Sequence, residues 1–498
     1  MNVNPITRLD YPDPDVIRVE DTYYMVSTTM HFMPGCEILQ SFDLVHWEHA
    51  TYVYETLDHT DAQQLKSGQN IYGQGMWAAS LRYHEGRFYI CFVANDTRKT
   101  YLYTSEKIDG PWKKQLIEGF YHDGSLLFDE DGRNYIVYGN DEIWITELNE
   151  DLTAPKKDGL HRLLVSDHKN PKLGYEGSHI QKINGYYYIF LIHSLRDRWM
   201  RTEACFYSDS LEGEFTGGDV LCDDRGYCGQ GVAQGGIVDT PDGKWYAMLF
   251  QDSGAVGRIP ILLPVTWKDH FPVFGQNGHV PEEIEVHSTR PGYIYQPLVG
   301  SDDFCNGLLP RWQFNHDPDP RYYHLDALQG TYTITTREVC TELTQAVNTL
   351  TQRMSYPSCA AEVTVDASAL KEGDVAGLCA FQGCYAAVGI TKHHGKYEVL
   401  MLDKKEDGIL DMTEGTVVES HQMDFRLEAD FCNMKDEARC YYRVNKGDWL
   451  PIGTVHKLYF KLDHFTGCRF GLFCYAAEET GGSACFRDFK YYDVDEIS

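Results

Sequence analysis

Five stretches of the chain repeat one alternation: an apolar run, a short polar turn, then a run rich in tyrosine. They are DPDVIRVEDTYYMVS from Asp13, ASLRYHEGRFYICFV from Ala79, GSLLFDEDGRNYIVYG from Gly124, GSHIQKINGYYYIFLI from Gly177 and GGIVDTPDGKWYAMLF from Gly235. Short apolar runs on either side of Gly, Asp and Asn turns predict β-hairpins. The second strands align on Tyr24, Tyr89, Tyr135, Tyr188 and Tyr246, which lie 65, 46, 53 and 58 residues apart. Strand-turn-strand units recurring about every 50 residues predict propeller blades. Outer strands follow in GCEILQSFDLVHWEHA, KTYLYTSEKIDGPW and CFYSDSLEGEF, and VGRIPILLPVTWKDHFPVFG from Val256 supplies a pair that closes the fifth blade. After the Pro- and Gly-rich stretch HVPEEIEVHSTRPGYIYQP, short alternating segments such as CAAEVTVDA, YAAVGITKH and CRFGLFCYA predict an all-β sandwich. The expected fold class is all-β: a five-bladed propeller over 1–297 and a β-sandwich over 298–498.

Counting back from the tyrosines brings out the chemistry. Twelve residues before the last four lie Trp77, Asp123, Glu176 and Gln234, and eleven before Tyr24 lies Asp13. Blades pack around an axis and their first strands begin nearest it, so these five side chains are expected at one mouth of the channel. Three of them are carboxylic acids. Glycoside hydrolysis needs one carboxyl that keeps its proton for the leaving oxygen and one that is ionised to activate water or attack the sugar. A third carboxylate nearby helps the donor hold its proton by like-charge repulsion.

Composition narrows the partners. With 44 Lys and Arg against 74 Asp and Glu, the net charge of −30 argues against nucleic acid and anionic membranes. No run of 18 apolar residues predicts a membrane span. MNVNPITRLD has neither the basic start nor the apolar core of a signal peptide. The 15 Cys form no CxxC pair, so no zinc site is expected, and reduced thiols in a cytoplasm are the reading they suit. His122, His393 and His394 read as solvated or structural, and Asp129 to Asp131 as a hairpin turn.

In YPDPDVIRVEDTYYMVST, SFDLVHW, GMWAASLRYHEGRFYI, HDGSLLFDEDGRNYIVYG, GYEGSHIQKINGYYY and GGIVDTPDGKWYAMLF, residues 1 to about 295 resemble glycoside hydrolase family 43. LLPRWQFNHDPDPRYYHL, NTLTQR and GDVAGLCAFQGCYAAVGI resemble the concanavalin-like sandwich that follows the propeller in its β-xylosidase-like members. The resemblance implies that Asp13 is the general base, that Glu176 is the general acid, and that Asp123 orients the acid and keeps it protonated. It implies inversion of configuration, with the two carboxyls about 6.5–9.5 Å apart. It places Arg258, Trp77 and Phe32 in the sugar pocket and gives the sandwich a loop that helps close it. Where many members carry a histidine in a GHG phrase, Gln234 stands here; no cofactor is required, and a structural calcium ion near the axis is allowed. The implied activity is exo-acting release of terminal β-D-xylose from a small oligosaccharide, with α-L-arabinofuranosidase activity as the alternative. A non-catalytic sugar-binding propeller and a retaining glycosidase are the rival classes. The relatives are often dimers or tetramers, so a homo-oligomer is compatible.

Overall fold

A computed structural model describes residues 3–413 and 415–493. The first part is a five-bladed propeller in which each blade is a four-stranded antiparallel sheet taken in chain order. Blade 1 comprises Asp15–Val19, Thr22–Val26, Gly35–Ser41 and Glu48–Tyr54. Blade 2 comprises Met76–His84, Arg87–Ala94, Lys99–Ser105 and Lys113–Ile117. Blade 3 comprises Ser125–Phe128, Asn134–Asn140, Glu142–Leu148 and His161–Ser166. Blade 4 comprises Glu176–Ile183, Tyr186–Ser194, Arg201–Ser208 and Thr216–Leu221. Blade 5 comprises Val232–Asp239, Trp245–Asp252, Arg258–Lys268 and Phe271–Phe274. The five aligned tyrosines all fall on second strands, opposite Ile17, Arg82, Leu127, Gln181 and Val238.

Both faces of an inner blade are covered by neighbouring blades, which is why the strands read as nearly continuous apolar text. Between blades 1 and 2 the fully buried Val26, Ile38, Leu81, Ile90, Phe92 and Tyr101 form one such layer. The axis itself is polar. Asp15, with no exposed surface, accepts from Arg82 Nη1 at 2.8 Å and meets His179 Nδ1 at 3.0 Å. Arg82 also donates to Ser125 Oγ at 2.6 Å and to the Ile180 carbonyl at 3.2 Å. One guanidinium thus stitches blades 1, 2, 3 and 4 together. Among the described residues the ring closes without a strand shared between blades 1 and 5. The segment before blade 1 instead runs along the third strand of blade 5, with hydrogen bonds from Ile6 N to Pro260 O and from Tyr11 N to Arg258 O.

The second part is a sandwich of two antiparallel sheets with a large apolar core, and a second buried cluster gathers around Leu343, Phe381, Tyr385 and Phe473. Its larger sheet takes in a propeller strand: Phe32–Met33 pairs with Gln313–Asn315 at the sheet edge. The two parts are locked further by buried polar contacts. Asp10 accepts from the Arg258 and Gly467 amides at 2.7 and 2.8 Å. Arg353 reaches from the sandwich to Glu37 Oε2 at 2.8 Å and lies over the Tyr11 ring. All 15 cysteines are free thiols. Among the described residues no helix is long and apolar enough to cross a membrane.

Candidate active site

The start of each blade's first strand carries a residue with left-handed backbone: Asp13 (φ 52°), Ala78 (φ 36°), Asp123 (φ 48°), Gly177 (φ 63°) and Gln234 (φ 61°). In blades 2, 4 and 5 the strand register also slips there, between Trp77 and Ser80, Glu176 and His179, and Ala233 and Gly236. Such a bulge kinks the strand and re-aims the side chain before it. Aspartate tolerates the left-handed region better than most residues, which suits Asp13 and Asp123 to their places. Gly177 meets two demands: its φ is positive, and a Cβ there would lie 2.6 Å from Gln234 Cδ. The fifth kink is fixed by Glu203, whose Oε2 accepts from the Gln234 amide at 2.7 Å.

Asp13, Trp77, Asp123, Glu176, Gln234 and Arg258 all line one cavity of about 720 Å³. The five positions in register thus share one cavity with Arg258, which the family resemblance placed there. Phe32 is not among the lining residues. Its ring is 1% exposed and lies 3.5 Å beneath the Arg469 guanidinium, because its strand turns away to pair with the sandwich.

The two ends of the carboxyl set are held differently. Asp13 accepts from Thr28 Oγ1 at 2.6 Å and from Arg258 Nη1 at 2.9 Å. Asp123 accepts from the Gly177 amide at 2.9 Å, and Glu176 from Asn140 Nδ2 at 2.6 Å. Between the last two stands His122, with Nε2 3.5 Å from Asp123 and 3.6 Å from Glu176. The imidazole therefore lines the site, where the sequence alone gives it only a solvated or structural part. Asp123's charge first, and Glu176's contribution after it, hold the ring's pKa up at about 9 against the pull of burial. Burial pushes the Asp123 carboxyl up to about 6; the His122 charge opposes this and the charges of Glu176 and Asp13 add to it. Among the described residues, His122, Asp123 and Glu176 are the one grouping whose donor atoms could converge on a metal, all lying within 4.8 Å of one another. An imidazole held protonated presents N–H there rather than a lone pair.

The residues near the axis do not fit a structural calcium ion. Below the carboxyls the space between Asp13, Ser178, His179 and Gln234 is about 10 Å³, room for one water. The carboxylate deeper on the axis, Asp15, is already met by Arg82 and His179. Calcium needs six to eight oxygens, whereas a guanidinium supplies the positive charge here.

The far wall of the cavity comes from the sandwich. A turn closed by Phe465 N to Lys461 O at 2.8 Å contributes Phe460, Leu462 and Phe465 to the lining. Phe465 lies 4.1 Å beneath the Arg258 guanidinium and 5.6 Å from the Trp77 ring. Three buried donors in this corner have no protein partner: Arg258 Nε, Arg258 Nη2 and Trp77 Nε1. Buried donors are nearly always paired, so unmatched ones flanked by aromatic faces suit a ligand that is rich in hydroxyls and has an apolar side. Neither Phe465 nor Asn140 carried a signal in the repeat, since one comes from the other domain and the other from the far end of a second strand.

Residues 3–272 match the model for glycosyl hydrolases family 43, and residues 301–492 match a beta xylosidase C-terminal concanavalin A-like domain. A beta-xylosidase from Formosa agariphila is 26% identical over 99% of this chain and 89% of its own length. A non-reducing end alpha-L-arabinofuranosidase from Bacteroides ovatus is 24% identical over 82% of this chain and 79% of its own length. Among solved structures, a bifunctional GH43-CE protein from Bacteroides eggerthii superposes with a TM-score of 0.92 at 42% identity. That match covers 98% of this chain, which spans only 63% of the Bacteroides eggerthii chain. With the fold, the three converging carboxyls and a family match over more than half of its length, the chain belongs to glycosyl hydrolase family 43.

Proposed function

We propose that the protein is an exo-acting, inverting glycosidase that releases a terminal pentose, β-D-xylose, from short oligosaccharides. The observation that carries this reading is the cavity in which Asp13 and Glu176 hang from different blades and the sandwich turn at Phe465 forms a wall. Asp13, held by Thr28 and Arg258, activates water. Glu176, held by Asn140, gives its proton to the leaving oxygen. Asp123, buried on the other side of His122 from Glu176, keeps negative charge near the donor. A chamber walled by the sandwich turn suits a chain end better than the middle of a polymer. The mixed names of the relatives support α-L-arabinofuranosidase activity in the same cavity as the second reading. A cytoplasmic location, where only short imported oligosaccharides are met, fits the 15 free thiols.

The test is hydrolysis of nitrophenyl β-D-xyloside and nitrophenyl α-L-arabinofuranoside, with the released sugar followed by NMR. Inversion requires that the β-xyloside first yield the α anomer. A β anomer appearing first would mean a retaining mechanism.

Asp123→Asn gives a second, sharper readout. Asp123 is the largest source of His122's raised pKa. Without its charge the imidazolium is expected to lose its proton at lower pH, carrying the basic limb of the kcat/KM profile downward with it. An unchanged profile at full rate would remove Asp123 from the proton economy of the site.

A further inference from the structure

We propose that Cys384 is a covalent modification site: a thiol served by His456 and Asp403 that exchanges with small zwitterionic disulfides and, once capped, displaces the turn that walls the active-site cavity. The three residues meet at one end of the sandwich. Cys384 lies between Asp374–Phe381 and Ala386–His393 of the larger sheet, and Asp403 on Lys396–Lys404 of the same sheet. His456 lies on Leu450–Lys457, at the edge of the smaller sheet. Its Nδ1 meets Asp403 Oδ1 at 2.7 Å, and its Nε2 stands 3.4 Å from Cys384 Sγ. A carboxylate on one ring nitrogen keeps the proton there and leaves the other nitrogen with a lone pair facing the thiol. Burial pushes the thiol up to about 12. Burial, opposed by Asp403, also holds the imidazole below its ordinary range. Both groups therefore rest neutral, and the thiol reacts by giving its proton to the base beside it. The exchange then balances. The Cys384 thiolate attacks one sulfur of the disulfide, a new S–S bond forms as the old one breaks, and the departing thiolate takes the proton back from His456.

Cys384 lines a second cavity, of about 320 Å³, between the propeller and the sandwich. That volume is at the small end of the range for small-molecule sites. Its charged lining is balanced, with Lys404, Lys405 and Lys461 against Glu342, Glu406 and Asp463. A balanced lining suits a zwitterion better than an anion or a cation. His464 belongs to the same lining, and its Nδ1 is buried without a protein partner. The turn from Lys461 to Phe465 borders both cavities: Lys461 lines each of them, and Phe465 lines the catalytic one. The backbone beside the thiol is packed directly on this turn, since a Cβ at Gly383 would lie 2.2 Å from Tyr459 Oη and 2.8 Å from His464 Cδ2. Gln382 Nε2 braces it further, donating to the Ala255 and Thr466 carbonyls at 3.1 and 3.4 Å. A group added to the sulfur therefore takes up space that the turn borders.

The test treats the full-length protein with cystine and follows each cysteine peptide by mass spectrometry, with hydrolysis of the two nitrophenyl glycosides measured alongside. Cys379, also buried, gives its hydrogen bond to the Gly471 carbonyl at 3.4 Å and serves as the internal control. Cys384 should be capped at least about 10-fold faster than Cys379, and His456→Gln should slow it by a similar factor. The ratio to Cys379 is read in the wild type and depends on no variant. Activity should fall at least about threefold in step with capping at Cys384 and return with dithiothreitol. Cys384→Ser should match the untreated wild type and be unaffected by cystine. Four results overturn the proposal: Cys384 capped no faster than Cys379, capping indifferent to His456→Gln, capping without loss of activity, or a loss that persists in Cys384→Ser. A wild type inert on both glycosides before treatment fails the glycosidase reading instead, and the mass mapping still decides the modification.

Discussion

Glu176→Gln is expected to lower kcat on xylobiose by about 100- to 10,000-fold, the contribution of one positioned proton donor. The loss should be much smaller on nitrophenyl β-D-xyloside, whose leaving group departs without being protonated. Asp13→Asn should lose a similar factor on both substrates, because water must be activated whatever the leaving group is. The pair of ratios separates acid from base, which a loss of activity alone does not. The folded state should survive both changes: Glu176 is held from outside by Asn140, and asparagine accepts the left-handed backbone of Asp13 as aspartate does. Near-full activity in either variant, or equal losses for Glu176→Gln on the two substrates, would overturn the assigned roles.

The largest expected effect on stability lies two residues away. Asp15→Ala leaves Arg82, only 13% exposed at its side chain, as an unpaired cation on the propeller axis. Removing one partner of a buried ion pair costs about 3–5 kcal/mol, which chemical denaturation monitored by circular dichroism would read directly. Burial pushes the Asp15 carboxyl up, but Arg82 and then His179 more than offset it, and its pKa ends below the ordinary aspartate value. A carboxyl lowered in this way stabilises the fold at all pH above the ordinary range and loses that contribution only as the pH falls toward and through the lowered value. The difference between wild type and Asp15→Ala should therefore persist from neutral pH to about pH 4 and shrink below it. A difference under about 1 kcal/mol at neutral pH would mean that the axis is wetter than its burial indicates.

These two aspartates show how far the sequence could be read. Asp13 was legible because it keeps register with residues in four other blades, and register survives folding when every blade uses the same kink. Asp15 lies two residues further on in the same repeat, and nothing in the repeat singles it out. Its importance comes from an arginine 67 positions on and a histidine 164 positions on, and neither repeats from blade to blade. The failure at Phe32 has the same origin. The family resemblance places it in the sugar pocket, but a sandwich strand nearly 300 residues later captures it. His122 looked bland because a histidine beside an aspartate has no pattern; its meaning appears only when Glu176 arrives on the other side. Periodicity reports what a unit shares with its copies, and each residue missed here acts through a contact that one blade alone makes.

The strand Phe32–Met33 carries one more consequence. Part of the second domain's sheet is written inside the first blade, and Asp10 fastens the Arg258 backbone to Gly467, just after the turn that walls the cavity. Recombination that moved either half into a new protein would carry away a strand from one and a wall from the other. Descent should therefore have kept the two halves together, with changes on one side of the seam matched by changes across it.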